Sequence, residues 1–253
     1  MKKVFLLATV SVATLCFSAC KKDKDSISNN SLPEKKLSKI TKKENGITTV
    51  YNLTYSTAGK LVSIVSTDKK DSTNFAYDAS GNLTAIYKQD QEIKSMYAFQ
   101  FNNNKPETGS YKSWDISMGV PGRLVQNDHF TYTVTNNQVS GIHMLMMDAS
   151  EADIALTYTN GNLTRLNHNG FISYIGELSY GTRKAIYPKL TSFVLDPMGY
   201  TVLYSASHEV LKVLFDFPGS THDFEINTTY TYDSNGYVLS SNDGDIEEFY
   251  EYR

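Results

Sequence analysis

The stretch FAYDASGNLTAI, residues 75–86, decides the fold. Phe75 and Tyr77 alternate with smaller neighbours, as a strand with one covered face requires. Asp78-Ala79-Ser80-Gly81-Asn82 then supplies turn chemistry. A carboxylate there bonds back to nearby backbone N–H groups, and a glycine accepts positive φ. Leu83 and Ile86 resume a strand, so the segment spells one hairpin.

The unit recurs. LTYSTAGKLVSI (53–64), LTYTNGNLTRL (156–166) and TYTYDSNGYVLS (229–240) each carry an aromatic, a Gly-containing turn and apolar residues beyond it. Weaker copies are FQFNNNK (99–105), FTYTVTNNQVSGI (130–142), LSYGTRKAI (178–186) and VLYSASHEVLKV (202–213). In the last, Tyr204 to Val210 aligns with Tyr77 to Leu83 without a gap. The pivotal aromatics fall at 55, 77, 101, 132, 158, 180, 204 and 232, with Tyr252 closing the series. A period near 25 with a turn in each copy means one hairpin per repeat. Helical periodicity is missing, apart from a turn or two in HMLMMDASEAD (143–153). The expected fold is all-β, an antiparallel meander of about eight hairpin repeats with roughly 14–18 strands. A sheet of that size curls, splits or closes, and closure into a wide β-barrel removes both edges. An open twisted sheet of stacked hairpins is the alternative, with a sandwich third.

The N-terminus is a targeting segment. Lys2 and Lys3 precede an apolar run from Val4 to Leu15, too short to span a bilayer comfortably, and Ser18-Ala19 lead into Cys20. Phe17-Ser18-Ala19-Cys20 resembles a bacterial lipobox, in which the cysteine is acylated and the signal removed before it; Phe17 departs from the commoner Leu. Residues 1–19 are therefore expected to be a signal peptide and Cys20 the lipid attachment site. The other cysteine, Cys16, lies in the removed segment, which leaves no disulfide, zinc site or thiol nucleophile. Residues 20–45 read as a lipidated flexible tether, rich in Ser, Asn and Lys. Lys21 to Lys43 carry eight Lys against three acidic residues, net +5, whereas Glu44 to Arg253 carry 14 basic and 24 acidic residues, net −10. The acidic body argues against nucleic-acid binding. Residues 46–253 are expected to form a single β-repeat domain.

The units Tyr77-Asp78-Ala79-Ser80-Gly81-Asn82-Leu83 and Tyr232-Asp233-Ser234-Asn235-Gly236-Tyr237-Val238 resemble the YD-repeat pattern of secreted bacterial proteins. Together with the lipobox they resemble a Bacteroidota-type lipoprotein family of unknown function, over roughly residues 46–253. The resemblance implies a porin-like β-barrel fold and an envelope location. It implies no catalytic residues.

Strand count and length would permit a transmembrane barrel. Three features oppose it. A lipid anchor is redundant for an embedded protein, the chain ends in Arg253 and not in an aromatic, and charge interrupts candidate outward faces. In DIEEFYEYR, for example, Glu248 shares a face with Ile246, Tyr250 and Tyr252. A water-exposed barrel on a lipid tether is favoured. Lys21 and Lys22 follow Cys20 without the Asp that commonly signals inner-membrane retention, so the outer membrane is expected. Whether the protein faces periplasm or surface stays open.

No catalytic motif stands out. Gly-x-Ser-x-Gly, Gly-x-x-x-x-Gly-Lys and His-Glu-x-x-His are all absent. Histidines 129, 143, 168, 208 and 222 lack ligand-like spacing, and His168 and His208 read as turn residues. Asp243, Asp245, Glu247, Glu248 and Glu251 form the densest acidic cluster. A paired-carboxylate glycan hydrolase is the alternative function it suggests; the plainer reading is a turn followed by a terminal strand with charged gatekeepers on its edge. Tyr111 and Trp114, in the longest interval between repeats, are candidate stacking residues for a ligand. Neither cofactor nor metal is expected. The expected protein is non-enzymatic, membrane-attached through its lipid, and a binder or scaffold for a glycan, lipid or envelope protein.

Overall fold

The computed structural model describes residues 35–219, 221 and 223–253. The expected signal segment 1–19, Cys20, His222 and most of the tether lie outside the described residues. Seventeen strands follow one another: β1 (Leu37–Glu44), β2 (Ile47–Tyr55), β3 (Leu61–Ser66), β4 (Ser72–Tyr77), β5 (Leu83–Gln89) and β6 (Ile93–Asn102). They continue with β7 (Lys105–Asp115), β8 (Arg123–Thr135), β9 (Gln138–Leu145), β10 (Glu151–Thr159), β11 (Asn162–Asn169) and β12 (Tyr174–Lys184). The last are β13 (His208–Asp216), β14 (Phe224–Asn227), β15 (Thr229–Tyr232), β16 (Val238–Asn242) and β17 (Ile246–Tyr252).

Neighbours in sequence ladder antiparallel from β1 through β14 and from β15 to β17. β17 returns to β1, with Ile40 opposite Tyr250 and Glu44 opposite Ile246. β14 and β15 run end to end along one line, broken only at Thr228. β13 ladders with the first and β16 with the second. The sheet is thus a nearly closed barrel, thinnest at Thr228, and neither terminal strand is an edge.

Closure moves the domain boundary. β1 lies inside the segment read as tether, and its Lys39 and Lys43 are sheet residues paired across to the acidic C-terminal strand. Lys39 pairs with Glu251, Lys43 with Glu247 at 3.1 Å, and Lys35 with Asp233 at 2.6 Å. Glu247 and Glu251 are therefore cross-strand partners within the ring and not gatekeepers of an edge.

The covered face points into the barrel. β10 alternates exposed Glu151, Asp153, Ala155 and Thr157 with buried Ala152, Ile154 and Leu156. Across β8 the buried Phe130 alternates with exposed His129, Thr131 and Thr133. A membrane barrel has the reverse pattern, with an apolar band outside and a polar lumen. Ile246, Glu248, Tyr250 and Tyr252 share a face as expected, but it is the inner one. The charge on that face therefore carries no information about lipid.

Turn chemistry explains the repeat. Gly59, Gly81 and Gly236 have φ of 80°, 88° and 81°. Gly81 N–H donates to the Asp78 carbonyl, and Asp78 Oδ1 accepts from Asn82 N–H at 2.8 Å. Asp233 Oδ1 likewise accepts from Asn235 and Tyr237 N–H, at 2.8 and 2.9 Å. Just before each of these turns the ladder slips, at Thr54/Tyr55, Ala76/Tyr77 and Thr231/Tyr232. Such a bulge aims the aromatic inward. In three units its hydroxyl then donates to a carbonyl at or beside the start of the preceding strand: Tyr55 to Leu37, Tyr77 to Leu61, and Tyr180 to Leu163, each at 2.7 Å. The conserved spacing of turn and aromatic within this chain is thus a device for stitching hairpin to hairpin. The segment 143–153 contains no helix; it is the end of β9, a turn closed by Met146 and Ser150, and the start of β10.

Both turn carboxyls are held below the ordinary value of 3.8, Asp78 by Asn82 and Asp233 by Lys35. Their stabilisation is present above that value and is lost as pH falls through the folded pKa. An Asp78→Ala, Asp233→Ala double variant is expected to melt below the parent at neutral pH. The gap should close as the pH drops well under 3.8. Melting curves across the acid range check this; a gap that persists at the lowest pH refutes it.

Two of the weaker copies are not hairpins. β12 pairs directly with β13, Lys184 opposite His208, and residues 185–207 are inserted between them. This insert enters the barrel. Tyr132 OH donates to the Leu195 carbonyl at 2.6 Å, and Tyr97 stacks on Tyr200 with centroids 5.9 Å apart. Phe75 meets Tyr204 edge-on at 5.1 Å, and Phe101 packs on Phe193 at 6.3 Å. Those partners come from β4, β6 and β8, so the insert crosses the lumen as a plug. Tyr204, aligned with the repeat aromatics, is instead 2% exposed in a single 3-10 turn, Tyr200–Tyr204. Asp196 fastens that turn: its carboxylate accepts from Thr201 N–H and Oγ1–H, both at 2.6 Å, and from Tyr200 N–H at 2.9 Å. Burial pushes its carboxyl above the ordinary range.

Candidate functional site

The plug does not fill the lumen completely. A cavity of about 530 Å³ remains between it and the inner face of β11 to β17. Its sheet wall is apolar, with Leu166, Leu178, Val213, Phe215 and Ile226, because these are the inward positions of alternating strands. Val202, Leu203 and Met198 face them from the plug. Met198 is 71% exposed although it lines the cavity, so the cavity opens to solvent there. The loop between β11 and β12 holds out Phe171, 93% exposed, and Ile172. Tyr174, at the start of β12, reaches across to the plug, its hydroxyl 3.4 Å from the Pro197 carbonyl.

Along β16 and β17 the lining is polar. The Ser241 hydroxyl lies 2.7 Å from Tyr250 OH, which donates to Glu248 Oε2 at 2.6 Å. With Tyr250 donating onward, Ser241 is the donor to it. Burial and the neighbouring Glu248 carboxylate raise the Tyr250 pKa, so the phenol stays protonated. Tyr230 donates to the Val210 carbonyl at 2.6 Å. Among the described residues, Glu248 Oε1 accepts no hydrogen bond. The cavity lining contains two carboxylates, Glu248 and Asp243, and no Lys, Arg or His. The cation opposite Glu248 in the ladder, Lys42, is engaged by Glu44 at 2.7 Å.

The residues proposed from sequence are distributed differently. Tyr111 pairs with Tyr97 in the ladder and points inward, its ring 4.6 Å from that of Tyr97. Trp114, opposite Lys94, lies on the outer face with the lysine ammonium 5.7 Å from its ring centroid. An odd separation along one strand places them on opposite faces. They do not form one ligand platform. The acidic cluster is divided in the same way: Glu247 faces out to Lys43 and Glu248 faces in, so the two cannot flank one glycosidic bond. Asp243 Oδ1 caps its own turn through Asp245 and Ile246 N–H, at 3.0 and 2.8 Å. No group of three His, Cys, Asp or Glu among the described residues could hold a metal. His168 is not in a turn; it lies within β11, next to its last residue, stacked on Tyr174 at 4.7 Å, and burial lowers its pKa. His208 opens β13, 3.0 Å from the Asn162 amide. Sequence reasoning missed the cavity because its wall is assembled from seven strands and an insert. The one usable signal was the shared face of Ile246, Glu248, Tyr250 and Tyr252.

The fold resembles two solved structures. A porin-like protein from Bacteroides uniformis superposes with a TM-score of 0.52 at 17% identity, covering 86% of this chain and 96% of that one. A porin-like protein from Bacteroides vulgatus superposes with a TM-score of 0.57 at 11% identity, covering 87% and 99%. At such identities the likeness is one of fold. No family model and no curated protein matches the sequence.

Proposed function

We propose that this chain is a lipid-anchored protein of the outer envelope that holds a small apolar molecule inside its barrel and catalyses no reaction on it. The observation that carries this reading is the lumen. It is largely apolar, obstructed by residues 185–207, and among the described residues it keeps an open cavity of about 530 Å³ within the usual size range of small-molecule sites. Polar residues that interrupt the outer face, Thr131, Thr133 and Asp153 among them, support attachment through Cys20 in preference to insertion, and the Phe17–Cys20 motif with Lys21 and Lys22 supports the outer membrane.

Gly176 provides the test. A Cβ built there meets Leu166 Cβ and Phe215 Cε1 at an ordinary 3.7 Å, so Gly176→Leu extends into the cavity without backbone strain. A neutral apolar dye such as N-phenyl-1-naphthylamine, at roughly 100 times its Kd, is expected to raise the parent's melting temperature by about 5–10 °C. Gly176→Leu should abolish the shift. No shift in the parent, or an equal shift in the variant, overturns the reading.

A further inference from the structure

Head-group selectivity follows from how the cavity is charged, and it rests on the reading of the cavity as a ligand site. Any molecule long enough to use the apolar wall from Leu166 to Ile226 brings one end against β16 and β17. There the polar groups are Ser241, Tyr250, Glu248 and Asp243, the last already capping its own turn through Oδ1. Ser241 and Tyr250 spend their protons within the relay that ends on Glu248 Oε2. What the relay leaves for a ligand is an acceptor, Glu248 Oε1. No cation lines the cavity, and Lys42 is held by Glu44. An incoming carboxylate or phosphate would meet a second negative charge in a partly desolvated site, where like charges repel far more than in water.

We propose that the cavity selects an amphiphile whose polar end is a hydrogen-bond donor, an alcohol or an amine, bound at Glu248, and that it rejects fatty acids and other anionic amphiphiles. The alcohol and the amine share the donor chemistry; the amine adds an ion pair. Specificity here comes as much from repulsion of the wrong head group as from attraction of the right one.

The test uses the purified full-length chain and three ligands with a common ten-carbon body: decylamine, decanol and decanoate. Each displaces N-phenyl-1-naphthylamine at neutral pH. Decylamine and decanol are expected to compete at least tenfold more strongly than decanoate. Amine above alcohol assigns an ion pair at Glu248; equal competition assigns a hydrogen bond; either supports the proposal. Glu248→Gln should narrow the gap between amine and acid at least tenfold. If that variant does not fold, methyl decanoate on the parent serves instead, and the uncharged ester should compete more strongly than decanoate. Decanoate matching the other ligands, or a gap unchanged in Glu248→Gln, overturns the selectivity. Failure of the dye itself to bind removes the cavity reading beneath it, so the two failures are told apart.

Discussion

A Cys20→Ala chain is expected to leave the membrane fraction entirely. Transfer of acyl chains contributes about 0.8 kcal/mol per buried methylene, so a diacylglycerol with an added N-acyl chain is an effectively permanent anchor. The barrel's outer face mixes polar residues with exposed apolar ones such as Tyr87, Leu239 and Phe249, and lacks the unbroken apolar band of a membrane barrel. Its outward positions include Thr131, Thr133, Asp153 and Thr157, all exposed, where a lipid-facing band would need apolar side chains. Cell fractionation, combined with metabolic labelling by a palmitate analogue, measures the outcome. Cys20→Ala that stays with membranes through an alkaline wash would point to an embedded barrel and defeat the anchored reading. Loss of label together with release would support it.

The second large effect concerns the plug. Asp196→Ala removes the acceptor of three hydrogen bonds at a site that is 0% exposed. The Thr201 hydroxyl is already an acceptor for Leu195 N–H and can reorient, but the Tyr200 and Thr201 N–H groups cannot. Leaving two buried donors unpaired costs about 1–3 kcal/mol each. A loss of roughly 3–5 kcal/mol is expected, or about 10 °C in melting temperature for a chain of this size. The same variant should weaken dye binding, because Tyr200 and Val202 form the cavity's inner wall. Calorimetry and dye titration check both. A parent-like melting temperature would show that the insert is held by its aromatic contacts alone.

Much of the strand order was legible because its causes are local. The Asp78 turn is closed by atoms within four residues of one another, and the same holds at Asp233. Alternation in Phe75 and Tyr77, or in Leu53 and Tyr55, shows on its own that one face is covered. The regular aromatics marked the hairpin units, although not that the tyrosines point into the lumen or which carbonyls their hydroxyls reach. Tyr204 shows the limit of this logic. Its seven-residue alignment with the repeat is real in sequence, yet only His208–Val210 join a strand, and Tyr204 itself ends the 3-10 turn of the plug inside the lumen. Tyr111 and Trp114 fail as a pair for a different reason, since neighbours in the chain on one strand separate to opposite faces.

Sequence by itself determined that this protein is a meander of hairpins, where the clearest turns lie, and that a lipobox-like motif precedes it. Those features depend on side chains and backbone groups a few residues apart. The tertiary structure alone decided that the sheet closes through β17 and β1, residues more than 200 positions apart, and that the covered face is the lumen. It alone placed Glu248 inside and Glu247 outside, and made residues 185–207 a plug with a cavity beside it. These outcomes depend on register and packing summed around the ring, and no short stretch of chain contains that information.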